Sequence, residues 1–561
     1  MIVHGASNQQ AVAYPAARDA GPPPAARGER DAVAPFDLPL PLRRMERPLG
    51  EPAAAVPGKA SESRRAWLDH PVVYAVALLL LLFCLMPPDG ALSDNEEDYF
   101  ALAAHAISLS PAPPYTAVFD ASPHRAVSEV LLGGLIAAVG YEHAQIIARG
   151  LAALAYALLL SGILRRFGLS LLDAVLVIVV YALAGQTLMG GEWLFNGFEA
   201  KVISYCLVLA GLYMAATGPS FLAPTLLFAQ ATYFHFLVGG FWFCAAMAGR
   251  LVEDRRELPR VLGAGALYLL AVAPLIALIA WSRLSDARAF IQPVDLPSPD
   301  VIYSIIRAPW HAAPFLSLDA FLVQWLPGCV AAAIMLAACL VITRKLDAAR
   351  WRVTTMWLAG LLVYLFVALA AAYLDRRTGV LGKFYLFRPA ALILLLWLAF
   401  AMAYLAAAGL RGWTAARLVA LALLAPVFLM GAVERVRGDR DRAALDGQKR
   451  ALAAALAERA TPGGVVLIDP QIEWSYLDFE RRTGHPSLVA FKFMPTNDPQ
   501  IVEWYRRMEF RRTLFEQGCG ENAAYPVDFL LTTPAHASAL AASCGPVVYA
   551  TDDVVLLRRA R

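Results

Sequence analysis

Charged residues are scarce in this sequence. Asp, Glu, Lys and Arg make up 17% of the 561 residues, whereas about a quarter of the residues of a soluble protein are charged. The formal net charge is +3, so the overall charge gives no sign of a nucleic-acid partner, and none is expected. This composition argues against a soluble protein.

The sequence also lacks the signatures of common soluble enzymes. It contains no Walker-type phosphate loop, no paired Cys-x-x-Cys metal site and no serine nucleophile elbow. The glycines of 379–384 and 461–466 do not have the spacing of a phosphate loop or of a dinucleotide fingerprint. The sequence therefore identifies no cofactor, and it leaves open whether the protein binds a metal ion.

Two kinds of metal site are compatible with the residues. His105, His124 and His143 lie in or near the predicted first outer loop, but their spacing is not diagnostic of a metal site. A divalent cation held by carboxylates and bridging to a substrate phosphate is the other kind. The metal ligands therefore stay unknown at this stage.

Apolar segments are abundant instead. Hydrophobic residues make up 59% of the chain, and apolar stretches of about 17–25 residues recur along most of it. We predict about eleven spans, near residues 72–88, 143–164, 170–188, 199–217, 220–235, 236–250, 258–281, 319–343, 352–374, 388–409 and 413–433. The fold class is thus an α-helical polytopic membrane protein, with a transmembrane domain over residues 67–433.

Basic residues in short loops set the predicted orientation. Alternate loops carry Arg64, Arg65, Arg165, Arg166, Arg250, Arg255, Arg256, Arg260, Arg344, Lys345, Arg350, Arg352, Arg411 and Arg417. These loops are placed in the cytoplasm, together with a disordered tail over residues 1–66 that is rich in Ala, Pro and Arg. Segment 126–140 would break the alternation if it spanned, so we interpret it as an amphipathic helix at the outer interface.

The last part of the chain, 434–561, has a different character. Short apolar runs at 464–469, 488–493, 529–533 and 547–557 predict strands. Segment 498–518 predicts a helix that begins at Asp498. An odd number of spans places this small α/β domain outside the cytoplasm. An oxidising compartment permits a disulfide between its two cysteines, Cys519 and Cys544, and two separate thiols are the alternative.

Unusual polar residues gather on the predicted outer side. The first outer loop, 89–142, opens with the sequence SDNEEDYF, which contains Asp94, Glu96 and Glu97. Further along the same side, the chain carries Glu192, Glu199, Lys201, His235, Arg307, His311, Lys383 and Arg388. Positive charge on this side runs against the orientation bias. These residues are therefore expected to have a function that offsets this bias.

These residue types fit a transfer reaction at the outer membrane face. A carboxylate takes the proton from an attacking hydroxyl or amine, and we predict Glu97, Glu96 or Asp94 as this base, with Glu97 preferred. Cations hold a lipid-linked phosphate and stabilise the charge that grows as it departs. We therefore predict the later acids and bases of this side as substrate-binding residues. Snorkelling of Lys383 and Arg388 from the span ends is the alternative.

Aromatic side chains accompany these charges. They are Trp193, Phe195, Tyr205, Trp310 and Tyr385. They either stack on a sugar ring or a polyprenyl chain, or form the aromatic belt of the membrane interface.

The acidic loop resembles that of the integral-membrane GT-C glycosyltransferases. Its sequence NEEDYFALA follows the first span and is similar to their D-E-x-Y-Y motif, with Glu96 where the family usually has Asp. The tail sequence RRTGHPSLVAFKFMPTNDPQIVEWYRR resembles the C-terminal part of bacterial GT-C-like proteins. The resemblance implies a polyprenyl-phosphate-linked sugar donor. It also implies transfer to an envelope glycan, lipid or protein on the outer face of the bacterial inner membrane.

Two other functions compete with this interpretation. A polymerase or ligase of surface polysaccharide would use Arg307 and His311 in a large outer loop. A transporter would place its charges near the bilayer midplane and show internal repeats, which the sequence does not. Apart from substrate, membrane lipids are the only other partner expected.

Overall fold

The computed structural model describes residues 70–107, 125–345, 349–408, 413–459, 463–520 and 524–560. The predicted tail, 1–66, lies outside these residues. The described chain begins with a helical bundle and ends with a small domain that contains a β-sheet.

Twelve main helices build the bundle in the described residues. They are α1 (Pro71–Leu85), α2 (Asp94–Ala106), α3 (Ala126–Arg166), α4 (Leu171–Leu183), α5 (Ala200–Thr217), α6 (Leu222–Phe234), α7 (Phe236–Glu253), α8 (Leu258–Ala289), α9 (Leu326–Lys345), α10 (Ala349–Asp375), α11 (Ala390–Ala407) and α12 (Trp413–Arg459). Short helical turns lie at Arg255–Glu257, Pro299–Val301, Ile302–Arg307, Pro309–Ala312, Leu318–Ala320, Phe321–Trp325 and Gly382–Phe384.

Seven helical segments of the described chain are long and apolar enough to cross a membrane. They are Ala126–Arg166, Ala200–Thr217, Phe236–Glu253, Arg255–Ser285, Leu318–Ile342, Trp351–Asp375 and Ala390–Ala407. Three shorter apolar helices are Pro71–Leu85, Leu171–Leu183 and Ala415–Gly431. These ten (seven and three) coincide with ten of the predicted spans. The remaining one, 220–235, is the 13-residue α6, and the span count stays a prediction.

Two local features position the outer end of the bundle. Gly140 has φ 79° and ψ 169°, a conformation that favours glycine, and it breaks α3 between segment 126–139 and the longer helix that follows. The membrane placement of this first segment stays a prediction. Helix α11 is apolar on all sides, and every residue of 390–396 is buried, so it lies at the centre of the bundle. Arg388 immediately precedes it.

The C-terminal domain contains a four-stranded sheet. Its elements are β1 (Val466–Ile468), a helical turn (Glu473–Tyr476), α13 (Phe479–Thr483), α14 (Asp498–Gln517), β2 (Phe529–Thr532), α15 (Pro534–Cys544), β3 (Val547–Ala550) and β4 (Val555–Arg558). The strand order is β1-β2-β4-β3, with β1 and β2 parallel and the other neighbours antiparallel. A disulfide joins Cys519, just after α14, to Cys544 at the end of α15.

Three sequence expectations differ from this domain. The run 547–557 forms two strands of a hairpin rather than one. The domain boundary expected near 434 falls inside the continuous helix α12. The run 488–493 is not a strand, because side chains satisfy much of its backbone: the carbonyls of Leu488 and Ala490 accept hydrogen bonds from Arg507 and Trp504.

Candidate active site

Glu96 holds the start of α2 in place. Its Oε2 accepts a hydrogen bond from the Ser93 amide at 2.7 Å, while the Ser93 side chain accepts from the Glu96 amide, which completes a capping box. Its Oε1 accepts from the Phe198 amide at 2.7 Å and from Arg149 Nε at 2.8 Å. The side chain is fully buried. With both oxygens occupied, Glu96 is not placed to take a substrate proton.

Glu97 links α2 to the C-terminal domain. Arg481 Nε lies 2.9 Å from its Oε2 and Arg481 Nη2 lies 2.6 Å from its Oε1, a bidentate pair. Burial raises the pKa of Glu97 despite this arginine. The preferred catalytic acid of the sequence prediction is therefore occupied by an inter-domain ion pair.

Asp94 lies at the exposed first turn of α2. Its side chain is 47% exposed, and its Oδ2 is 3.3 Å from Lys492 Nζ. The three acids predicted as the base thus have three different environments. Two are held by arginines, and the third is the most exposed of the set.

Six of the eight predicted substrate-binding residues lie together ahead of α11. We call them the polar cluster: Glu192, Glu199, Lys201, His235, His311 and Arg388. Arg388 Nε lies 3.0 Å from Glu192 Oε1, and its Nη1 contacts His235. Lys201 Nζ lies 3.1 Å from Glu192 and 3.5 Å from Glu199.

The charges of the polar cluster are fixed by its own members. Burial alone would raise the pKa of Glu192, but Arg388 and Lys201 outweigh it and hold that pKa well below its ordinary value. Burial lowers the pKa of His311 to about 4 although Glu192 opposes the shift. At neutral pH, Glu192 is thus ionised and His311 is neutral.

Asp98 is the acid that the prediction did not single out. It lies half-buried beside the polar cluster, and no basic group of the described chain lies within ion-pair distance of it. Burial raises its pKa to about 6, and Arg125, Lys492 and Arg307 oppose this shift. A helical wheel of the sequence would point to Asp98, because Asp94 and Asp98 are four residues apart and therefore lie on the same face of α2.

Two arginines near Asp98 have no carboxylate partner among the described residues. Arg307 donates from Nη2 to the Lys492 carbonyl at 2.9 Å and lies 5.5 Å from the centre of the Trp310 ring. Arg125 lies 5.0 Å from the centre of the Tyr99 ring. Their charges are available to an anion in a way that the paired charge of Arg388 is not.

An apolar cavity of about 630 Å³ lies next to these groups. It runs between α4, α9 and α11, and its lining includes Gly190, Gly191 and Trp310. The two glycines have φ 77° and 61°, in the left-handed region. A side chain on Gly190 would meet Phe387 at 2.7 Å, and one on Gly191 would contact the His311 ring at 3.6 Å. The cavity therefore reaches the polar cluster at the turn of Gly190 and Gly191, where larger side chains would collide with their neighbours.

Tyr385 lies between the polar cluster and Arg307. Its φ of 44° is unusual for a residue with a side chain, and such conformations concentrate at functional sites. Its ring is 4.6 Å from the Arg388 guanidinium carbon and 5.4 Å from the His311 ring. The strained backbone aims an aromatic ring into the site.

A second pocket, of about 260 Å³, lies on the other side of Tyr99. It is mostly apolar, but its lining includes Glu129 on α3. Glu129 is 3% exposed, and neither of its carboxylate oxygens has a hydrogen-bond partner among the residues that the structure describes. A buried carboxylate without partners is costly, so this residue also belongs among the groups that the sequence prediction missed.

Lys383 lies apart from the polar cluster. Its Nζ is 2.5 Å from Asp300 and 2.9 Å from Asp498, the first residue of α14. At the predicted anion site, Lys383 thus contacts two acids, and its contact with Asp498 ties the bundle to the C-terminal domain.

The described residues contain no group of three or more His, Cys, Asp or Glu side chains placed to hold a metal ion. His124, one of the three histidines considered for such a site, lies outside the described residues. Glu96, Glu97 and Asp94 of α2 each pair with a different arginine or lysine side chain rather than being grouped around one point.

Comparisons with known proteins give distant similarity only. No protein-family model matches the sequence, and no curated protein matches it. The structure of ArnT from Cupriavidus metallidurans in the apo state is similar over 88% of this chain and 98% of that one, with 14% identity and a TM-score of 0.37. The same protein bound to undecaprenyl phosphate is similar over 87% and 97%, with 15% identity and a TM-score of 0.33. At these TM-scores, the likeness carries no conclusion about the site.

Proposed function

We propose that the chain is a membrane glycosyltransferase that moves a sugar from a polyprenyl-phosphate-linked donor to an envelope acceptor. The observation that carries this proposal is the position of the 630 Å³ apolar cavity, which reaches the polar cluster beside Arg307. Arg307 has no carboxylate partner in the part of the chain that the structure describes. The proposed location is the outer face of the bacterial inner membrane, with the N-terminus in the cytoplasm and the C-terminal domain in the periplasm.

The donor fits the site in two parts. Its polyprenyl chain lies in the apolar cavity, where burial of hydrocarbon contributes about 0.8 kcal/mol for each CH₂ group. Its phosphate lies near Trp310 at the mouth of that cavity, within reach of Arg307 and Arg388. Arg307, which has no carboxylate partner within the described ranges, gains more from a phosphate than a cation already paired.

Asp98 is the proposed base. In the reaction, an acceptor hydroxyl or amine attacks the anomeric carbon of the sugar and forms a new bond there. The bond between that carbon and the phosphate oxygen breaks, so the polyprenyl phosphate leaves with its electron pair. The acceptor proton passes to Asp98, and the arginines stabilise the charge on the departing phosphate. Inversion at the anomeric carbon follows from this direct displacement.

The polar cluster has a positioning role in this proposal. Glu192 is held ionised by Arg388 and Lys201, so it accepts hydrogen bonds rather than protons. Neutral His311 and the rings of Trp193 and Tyr385 provide hydrogen bonds and stacking surfaces for a sugar. The acceptor is a glycan, a lipid or a protein.

Binding of donor fragments tests the proposal. We expect the purified protein to bind polyprenyl phosphate more tightly than the uncharged polyprenol, measured by native mass spectrometry. Arg307→Gln is expected to weaken binding of the phosphate about 10-fold to 100-fold, because a charge-assisted hydrogen bond contributes about 1.5–3 kcal/mol. It should leave polyprenol binding unchanged.

Arg376→Gln is the matched control. Arg376 is exposed and donates only to the nearby Tyr373 carbonyl among the described residues, so this variant should bind both lipids like the wild type. Equal binding of polyprenol and polyprenyl phosphate by the wild type would contradict the proposed donor class.

A further inference from the structure

The C-terminal domain reaches over the site through segment 491–498, which we call the crossing segment. Phe493 packs with Leu102 of α2 in a small apolar cluster. Farther along, the Thr496 carbonyl accepts a hydrogen bond from Arg283 of α8 at 2.9 Å. Asp498 closes the segment through its ion pair with Lys383. The crossing segment is therefore held against the bundle along its whole length.

Lys492 lies within this segment and contacts the site from two directions. Its main-chain carbonyl accepts the hydrogen bond from Arg307, and the ring of its neighbour Phe491 lies 4.6 Å from the Arg307 guanidinium carbon. Its side chain turns towards α2, where Nζ is 3.3 Å from Asp94. Lys492 thus fixes Arg307 with its backbone and places an ammonium group beside the acidic face of α2.

The partner of this ammonium does not neutralise it strongly. The Lys492 side chain is 17% exposed, while that of Asp94 is 47% exposed. Ion pairs with such exposed carboxylates contribute about 0–1 kcal/mol. Asp98 lies one helical turn after Asp94, on the same face of α2. The ammonium therefore acts on Asp98 as well as on Asp94.

Charged and titratable groups face Asp98 from every element around it. They are Tyr99 on α2, Arg125 and Glu129 at the start of α3, Glu199 before α5, Arg307 before α9, and Lys492 in the crossing segment. Three of the six are cations, and Lys492 is the one that the C-terminal domain supplies.

We propose that Lys492 is a positioning residue of the active site, through which the C-terminal domain completes a site otherwise built by the bundle. It acts through two groups: its carbonyl orients Arg307 towards the donor phosphate, and its ammonium keeps Asp98 in the ionised form that accepts a proton. The inference rests on the proposed function. It adds that transfer requires the C-terminal domain to be docked.

A docking role alone is the competing explanation. If Lys492 only attached the domain through Asp94, then Asp94→Asn would have the same effect as loss of the lysine charge. If it acts on Asp98, the two variants differ, because Asp94→Asn removes a negative charge near Asp98 while Lys492→Met removes a positive one.

The test is the pH dependence of sugar transfer between pH 5 and 8 in purified full-length protein. Lys492→Met is expected to move the acidic limb of the turnover profile upward by about half a unit to one unit, since an opposite charge lowers a carboxylate pKa. Lys492→Arg should restore the wild-type limb. Asp94→Asn should leave the limb where it is or move it downward. Thermal unfolding checks that all variants are folded.

The outcomes separate this inference from the proposed function. A wild-type profile with no acidic limb near pH 6 would overturn the role of Asp98, and this inference with it. A wild-type limb that Lys492→Met does not move would overturn this inference alone. The same holds if Asp94→Asn and Lys492→Met have equal effects, because Lys492 then only docks the domain.

Discussion

Four consecutive or near-consecutive acids in α2 have four different environments. Glu96 and Glu97 are buried against Arg149 and Arg481, whereas Asp94 is exposed and Asp98 is half-buried. Consecutive helical residues point about 100° apart, so one short run of acids meets four different neighbourhoods. The crowding of acids in this loop therefore reflects several structural tasks and, in our proposal, a single catalytic one.

The sequence singles out the residues of the polar cluster, which the structure places together, but it does not single out Asp98, the base that we propose. The role of the cluster in substrate binding stays a prediction. Cations on the predicted outer side run against the orientation bias, and this local signal draws attention to Lys201 and Arg388, which both contact Glu192. Glu96 and Glu97 are held by arginines that lie 53 and 384 residues away in the chain. No local pattern reports such contacts, so the choice among the acids required the tertiary structure.

Asp98→Asn is the most direct residue-level prediction. The amide keeps the size of the side chain but cannot take a proton, so we expect transfer to fall about 10²-fold to 10⁴-fold with normal folding. Because the pKa of Asp98 is raised to about 6, wild-type turnover should fall as the pH drops below that value. Glu192→Gln is not a suitable control, since it removes the carboxylate that pairs with both Arg388 and Lys201. Asp94→Asn is the appropriate one, and loss of transfer in that variant instead would contradict the assignment.

Glu97 and Arg481 should behave as a structural pair. Glu97→Gln removes the bidentate partner of Arg481, whose side chain is 17% exposed and still has Asp478 at 3.9 Å. Because charge-assisted hydrogen bonds are lost, we expect a cost of about 1.5–3 kcal/mol of unfolding free energy. The double variant Glu97→Gln/Arg481→Gln should be more stable than the sum of the single effects indicates. Thermal unfolding in detergent measures this coupling. Additive effects would mean that the pair contributes nothing as a pair.

At the scale of elements, helices were easier to predict than strands. Long apolar runs identify helices such as α10 and α11 because no other structure satisfies the backbone in lipid. The run 488–493 has the composition of a strand, yet side chains of α14 occupy its carbonyls. Composition reports which residues suit a strand, but it does not report which groups compete for their hydrogen bonds.

The apolar cavity gives a prediction at this scale. Ala331 of α9 lines it, so Ala331→Phe should fill part of the space meant for the polyprenyl chain. We expect roughly a tenfold higher KM for a long-chain donor, since loss of about two buried CH₂ groups corresponds to about 1.5 kcal/mol. A short-chain donor with the same sugar should be affected much less.

Val330→Phe is the control for this experiment. Val330 is the next residue back along α9 but is 49% exposed and does not line the cavity. An equal effect of both substitutions, or an equal effect of Ala331→Phe on both donors, would show that the cavity does not hold the chain.

At the scale of the whole molecule, the site and the C-terminal domain lie at one end of the bundle. The ion pairs of Glu97 with Arg481 and of Lys383 with Asp498 join the two parts there. The charged groups of the proposed site therefore gather at one end of the bundle, whereas a transporter would place its charges near the bilayer midplane. Arg307 and His311, the residues that suggested a polymerase or ligase, lie in the same site as Asp98 and the polar cluster.

The orientation of this end is a separate prediction. A reporter enzyme that is active only after export should work when fused to the C-terminus, and a reporter restricted to the cytoplasm should fail there. The opposite pattern would reverse the predicted parity of the spans and place the site on the cytoplasmic side.

The central claim is that the site transfers a sugar from a polyprenyl-phosphate-linked donor. One measurement tests this claim most directly. Purified protein is incubated with envelope membranes and a donor carrying a labelled sugar, and both the free polyprenyl phosphate and the transferred label are quantified. The account predicts equal amounts of the two products with the wild type and neither with Asp98→Asn. Label that stays on the lipid with the wild type, or equal discharge by wild type and Asp98→Asn, would contradict it.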